Sequence, residues 1–330
     1  MTEVGRISSI WRYPVKSMLG ERVAAADIGE YGLHADRTWA VRDVELDVTT
    51  GAKRHPGLLM CSARYVDTPP ADAGPGHAPE VVVEFPDGEQ VSSFDPSVHD
   101  ELSTFLDREV TLEPLPPLDR KDRYRGPVAT KADLRETFGL GADDPLPDMS
   151  MFPIKKLAEL SRYATPVGSY VDACPVHILT EQSLAAMAER VPGTDFDVRR
   201  FRPTVLIDSP GSAENAEWGW CGGVLRLPRA QLQPLIPTIR CVMPSLEQPG
   251  LDRDPRITRT IAAHSRRCLG VYGTVLRAGS IAEGEALQLD SMTSVKGFPG
   301  ASLLKRAVTR AVSAALPSGV RASKRPESDR

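Results

Sequence analysis

The run Asp172-Ala173-Cys174-Pro175-Val176-His177-Ile178-Leu179-Thr180 changes secondary structure within a few residues. Residues 176–179 form a short apolar run suited to a strand. Thr180 ends it, and its hydroxyl can cap a helix that starts immediately. Outward from this junction, residues 149–289 alternate between the two element types. The pattern predicts helices over 152–163 and 256–264. It predicts strands at 205–207, 224–227, 232–235, 241–243 and 271–276.

Toward the N-terminus the pattern is mostly that of strands. Residues 4–15, 37–42, 58–65, 80–85 and 109–115 are β-branched or aromatic runs between turn signals at 30–33 and 86–88. A short helix is expected at 100–106, and residues 67–79 read as a surface loop. Residues 114–148 carry Pro114, Pro116 and Pro117, a charged run at 119–125, and Asp143-Asp144-Pro145. They read as a linker with one short helix near 132–137. The predicted division is therefore 1–115, a linker at 116–148, a second unit at 149–290 and a tail at 291–330.

The tail holds eight Lys/Arg against Glu327 and Asp329. Leu303, Leu304, Ala307, Val308, Ala311, Val312, Ala315 and Leu316 recur at helical spacing. A helix docked on its own domain is the plainer expectation. Weak association with a membrane surface or a partner is the other.

Composition excludes several classes. The chain has 330 residues, 41% of them hydrophobic and 25% charged, which allows a sizeable core in one large or two smaller domains. A net charge of -4 lacks the basic footprint of a nucleic-acid binder. No apolar stretch reads as a signal peptide or reaches the roughly 18 residues of a membrane span. A cytoplasmic protein is expected. The five cysteines (Cys61, Cys174, Cys221, Cys241 and Cys268) are odd in number and widely spaced, so free thiols are expected instead of disulfides or a zinc site. His34, His55, His77, His99, His177 and His264 include no pair at metal-ligand spacing. Phosphate-loop, dinucleotide and nucleophile-elbow motifs are absent.

Four cationic runs remain. Tyr13-Pro14-Val15-Lys16-Ser17 follows a strand, and Lys16 with Ser17 would make a donor pair for phosphate. Gly32-Leu33-His34-Ala35-Asp36-Arg37 offers a turn with an arginine at its end. Arg199-Arg200-Phe201-Arg202-Pro203-Thr204 precedes a strand; if Phe201 faces the core, Arg200 and Arg202 share the other face. In Arg240-Cys241 the guanidinium favours the thiolate, a soft metal ligand. Each run taken singly also has a plain reading: a strand-end lysine, a surface ion pair, a solvated basic face, a buried cysteine. Together they suggest an anion site edged by a thiolate. A metal-bearing phosphorylated ligand, a nucleotide beside a nucleophilic cysteine, and a redox cysteine all fit that description.

These runs, with Asp172–Thr180, Glu217-Trp218 and Gly270-Val271-Tyr272, fall in the order seen in MOSC-domain proteins (molybdenum cofactor sulfurase C-terminal domain). The chain resembles that family over residues 4–290, and its amidoxime-reducing molybdoenzymes and their bacterial relatives most. The resemblance implies a mainly β fold with peripheral helices (α+β). An N-terminal β-barrel-like domain would precede the MOSC β-barrel, with a cofactor cleft between them. It implies a molybdenum–molybdopterin cofactor with Cys241 as metal ligand and catalytic residue. Lys16, Ser17, Arg37, Arg202 and Arg240 would hold the pterin, and Asp172, Ala173 and Cys174 would line the wall through backbone contacts. Thr204 stands where the family usually has Asn, which puts one pterin hydrogen bond in doubt. Gly284-Glu285 stands for a family Gly-Asp and is expected to alter only a turn.

The implied activity is reduction of small N-hydroxylated compounds. Electrons would come from a separate ferredoxin or flavoprotein, because no ferredoxin-type cysteine cluster is present. A cofactor or sulfur carrier is the alternative, although the aminotransferase-like sulfurase portion is absent. A metal-free nucleophilic or redox Cys241 is a third reading. His177 is a candidate general acid by position only, and a core histidine is the plainer reading.

Overall fold

The computed structural model describes residues 1–127 and 129–290. The expected tail helix lies outside these residues. Seven strands close a barrel: β1 Thr2–Arg12, β2 Val176–Thr180, β3 Val205–Asp208, β4 Val224–Arg226, β5 Gln231–Ile239, β6 Cys268–Arg277 and β7 Ala286–Asp290. Around the barrel the order is β3-β2-β6-β5-β4-β7-β1, and β1 pairs back to β3. Only β2 and β3 run parallel. A parallel pair needs a crossover, and helix Glu181–Arg190 lies in it. Thr180 caps that helix, its hydroxyl accepting from the Ser183 N–H at 3.2 Å.

All five residues of β2 are buried. Val176 and Ile178 point into the barrel with Ile7, Ile10, Val205, Leu225 and Leu287. Leu179 points outward beneath the helices, against Leu184, Met187, Ile257 and Ile261. Each such side chain contributes roughly 1.5–3 kcal/mol on burial. That is why this strand shows no polar alternation.

The N-terminal unit has its own core around Val41, Leu58, Leu59, Val81, Val83, Leu102 and Leu112. Strand Trp39–Asp43 pairs with Val110–Pro114, and Ser62–Tyr65, Val81–Glu84 and Gln90–Ser92 form a meander. Met243 and Leu246 join this core, with Cys241 and Val242 packed against it. The loop after β5 therefore bridges the two units. The mainly β fold with peripheral helices is as expected.

Several expected boundaries differ. Residues 232–235 and 241–243 are not two strands. One strand covers Gln231–Ile239, and Met243–Ser245 is a 3-10 turn. Pro234 and Pro237 hid the continuity, because each lacks a ladder N–H and the register shifts beside both. Pro244 then starts the turn. Residues 56–60 form a 3-10 turn before strand Ser62–Tyr65, and Pro56 initiates it. The first strand stops at Arg12 and the strand expected from 37 starts at Trp39.

The barrel takes β1 from the N-terminal end, and strand Gly279–Ala282 pairs with Ala25–Gly29. Within 116–148, helix Lys131–Phe138 opens with a Thr130–Asp133 capping box, and the preceding Tyr124 is buried with Ala40, Leu115 and Tyr170. Among the described residues no helix is long and apolar enough to cross a membrane.

Candidate functional site

The loop at 13–17, Arg37, the turn at 200–204 and the segment after β5 converge on one cleft. Its cavity volume is about 90 Å³, and it opens to solvent. Lys16, Ser17, Arg37, Asp172, Cys174, Arg202, Thr204, Arg240 and Cys241 all line it. Of the expected residues only Ala173 does not. It is buried beside Phe152, Cys174 and Ile236.

Tyr13 organises one wall. Its N–H donates to Asp36 Oδ1 at 2.8 Å, and its carbonyl accepts from Arg37 N–H at 2.7 Å. Its ring lies under two guanidiniums, Arg37 at 4.7 Å and Arg202 at 4.1 Å. Arg37 also pairs with buried Asp36. Ser17, Arg37 and Arg202 have φ of 71°, 53° and 52°, a region such residues enter at a cost of roughly 1–3 kcal/mol. Left-handed backbone at three lining residues marks the cleft as a place where side-chain direction outweighs local strain.

The arginines differ from the expected strand arrangement. Val198–Arg200 is a 3-10 turn, so strand alternation does not apply. Arg200 is fully buried and donates to the carbonyls of Pro244, Leu246 and Asp252, which fastens the 244–252 loop. Arg202 donates from Nη1 to Met18 O at 2.5 Å, and its Nη2 has no partner. Burial, reinforced by neighbouring Arg37, lowers its pKa to about 10, so it remains charged at neutral pH. Arg240 donates from Nη2 to Phe201 O at 2.9 Å, and its buried Nε has no partner.

Asp172 acts through its side chain, not only its backbone. Its carboxylate meets Lys16 at 2.6 Å and Lys53 at 2.8 Å. Lys16 also donates to Tyr170 O at 2.8 Å. Burial opposes ionisation of Asp172, but the two lysines outweigh it and hold the carboxyl well below its usual range. Burial lowers Lys16. It also works against Lys53, yet Asp172 and Cys241 raise that ammonium overall.

Cys241 is half-buried on the same wall, one residue past Arg240. Burial pushes the neighbouring Cys174 thiol up to about 11. Ser17 Oγ accepts from Ala52 N–H at 3.0 Å, which leaves its own proton to donate. Thr204 Oγ1 accepts from His177 N–H at 3.0 Å, so the hydroxyl in the family's Asn position ties the turn to β2. His177 is buried and its pKa falls to about 3, from burial and then Arg240. It is neutral and cannot serve as a general acid near pH 7.

Sequence reading missed Lys53 and the organising role of Tyr13. The pair Lys53-Arg54 after Gly51 was the available signal, but nothing local ties it to Asp172. A second cavity of about 230 Å³ shares Lys16, Ser17, Asp172 and Met243 with the cleft and reaches the 126–137 segment. Among the described residues no group of three His, Cys, Asp or Glu is placed to hold a metal ion. A metal at Cys241 would have to bring most of its ligands with it.

Residues 166–288 match the MOSC domain, and residues 4–98 match the MOSC N-terminal beta barrel domain. The chain belongs to the MOSC-domain family. This family is linked to molybdenum-cofactor binding. No curated protein matches the chain. The YuaD protein from Bacillus subtilis is similar at 10% identity, over 88% of this chain and 97% of that one, with a TM-score of 0.42. YiiM from Geobacillus stearothermophilus is similar at 18% identity, over 42% and 64%, with a TM-score of 0.30.

The cleft of this MOSC protein fits an anionic cofactor on its own chemistry. The unpaired, buried N–H groups of Arg202 and Arg240 would each cost roughly 1–3 kcal/mol if left without an acceptor. Five cationic side chains line the cleft, with one carboxylate among them. An anionic group such as a phosphate would supply the acceptors these N–H groups lack.

Proposed function

We propose that the cleft binds a molybdenum–molybdopterin cofactor with Cys241 as the metal's protein ligand. We further propose that the protein reduces small N-hydroxylated compounds such as hydroxylamines and amidoximes. The observation that carries this reading is the half-buried thiol of Cys241 beside two arginines whose buried N–H groups lack acceptors. Lys16, Ser17, Arg37, Arg202, Thr204 and Arg240 would hold the pterin phosphate and ring. Asp172 and Cys174 would form the wall, with Ala173 behind it. Bound there, the cofactor supplies two-electron oxygen-transfer chemistry, while the protein supplies binding, orientation and electrostatics.

Asp172 fixes two ammonium groups without cancelling the local positive charge. Fixed cations in a site shielded from water stabilise an anionic ligand better than solvent does. The second cavity shares Lys16, Ser17 and Asp172 with the cleft, and a small substrate would enter by that side. Electrons would come from a separate ferredoxin or flavoprotein. Five free cysteines suit a reducing compartment such as the cytoplasm.

One observation favours a cofactor or sulfur carrier. His177, the lining side chain placed to act as an acid, is held neutral, with its pKa lowered to about 3 by burial and then by Arg240. The decisive experiment takes protein from a cofactor-competent host, measures its molybdenum, reduces it chemically and adds benzamidoxime. Benzamidine formation supports the reductase. Stoichiometric molybdenum without turnover supports the carrier. Full activity in molybdenum-free protein would overturn both in favour of a thiol mechanism.

A further inference from the structure

His177 lies between the two arginines that bear the unpaired N–H groups. Its Nε2 is 3.3 Å from Arg240 Nη1, and its Nδ1 is 3.5 Å from the Arg202 carbonyl oxygen. A guanidinium can only donate, so the contact with Arg240 uses the Nε2 lone pair, the tautomer that carries its proton on Nδ1 toward the Arg202 carbonyl. The backbone makes room for this ring. A Cβ at Gly270, where φ is +80°, would stand 2.6 Å from His177 Nε2 and 2.7 Å from Ile178 O. Tyr272 closes the other side, its ring centroid 5.9 Å away. Phe201 O takes the other terminal nitrogen of Arg240. With both terminal nitrogens fastened the guanidinium cannot swivel, and the Nε–H, whose nitrogen has no partner at all, is held at a fixed angle for a ligand. A carboxylate in the place of His177 would orient Arg240 equally well, but it would cancel the charge the cleft uses. A neutral imidazole orients it and leaves the charge intact.

We propose that His177 is a positioning residue, a neutral acceptor that locks the Arg240 guanidinium so that its Nε–H meets the anionic group bound in the cleft. This rests on the cofactor-binding reading above and is independent of turnover. The test compares His177→Phe, which keeps a flat ring without an acceptor, with His177→Gln, which restores one. Molybdopterin affinity of the full chain should fall about tenfold or more in His177→Phe and stay within about threefold in His177→Gln. Equal losses in both, or no loss in His177→Phe, would overturn the proposal. A second arm needs no cofactor. In 15N NMR the wild-type ring should carry its proton on Nδ1 and not titrate between about pH 5 and 8. Inorganic phosphate should shift the Arg240 Nε–H resonance in wild type and not in His177→Phe. A ring that titrates in that range, or a phosphate shift that persists in His177→Phe, also overturns it. If wild type binds no molybdopterin, the cofactor reading fails, and the NMR arm still decides the role of His177.

Discussion

Cys241 gains its meaning from the residues around it. It stands just beyond the last barrel residue of its strand, Ile239, where the chain leaves the sheet and the thiol edges a cationic cleft. Cys241→Ala should abolish molybdenum retention, measured by elemental analysis, and leave the thermal midpoint within a few degrees. Substoichiometric molybdenum that survives this change would remove Cys241 as the ligand. Arg202→Gln should lower pterin content about tenfold or more, because a charged hydrogen bond is worth roughly 1.5–3 kcal/mol. His177 also sets a pH dependence. It faces Arg240, Arg202 and Tyr272, with Arg37 nearby, and its pKa falls from 6.5 to about 3 on folding. Above pH 6.5 the ring is neutral in both states and contributes nothing. As pH falls below that value the unfolded ring takes up a proton and the folded one does not. Stability should therefore drop by about 1.4 kcal/mol per pH unit from this group, down to about pH 3. Urea unfolding at pH 7 and pH 5 should show a smaller loss in His177→Gln than in wild type.

At the scale of elements, the junction of β2 with its helix carries a buried polar staple. Glu217 is fully buried, and its Oε2 accepts from the hydroxyls of Thr180 at 3.0 Å and Ser183 at 2.8 Å. Burial raises its pKa against these hydrogen bonds. Thr180→Val removes the helix cap and one donor to the carboxyl group, and should destabilise by roughly 1–3 kcal/mol. The urea midpoint should move while the m-value stays constant. Gly270 is the second pivot, because β6 and β2 approach too closely there for any Cβ. Gly270→Ala should lower stability and, by displacing the His177 ring, weaken cofactor binding beyond what the lost stability explains. The helix cap was legible in sequence, since Thr180 directly follows an apolar strand. The Glu217 staple was not, because its partners lie 34 and 37 residues away.

At the scale of the molecule, barrel closure depends on distant segments. β1 pairs with β3 and with β7, so residues 2–12 seal a barrel built mainly from 176–290. A fragment covering 149–290 would expose two open barrel edges and lose Ile7 and Ile10 from the core. It should fail to give dispersed NMR spectra on its own, and adding residues 1–115 in trans should restore them. An independently folded fragment would count against this view of closure.

The sequence by itself determined the mainly β character, the β2–helix junction and the identities of the cleft cations, because short-range pattern and motif order record those. It could not determine that Asp172 binds both Lys16 and Lys53, that Arg200 fastens a loop while Arg202 stacks on Tyr13, or that His177 is neutral. Those facts depend on burial and on partners far along the chain. The pair Arg240-Cys241 was visible at once. Only the tertiary structure decided that the strand ends at Ile239, which turns the thiol away from the barrel core and toward the cleft.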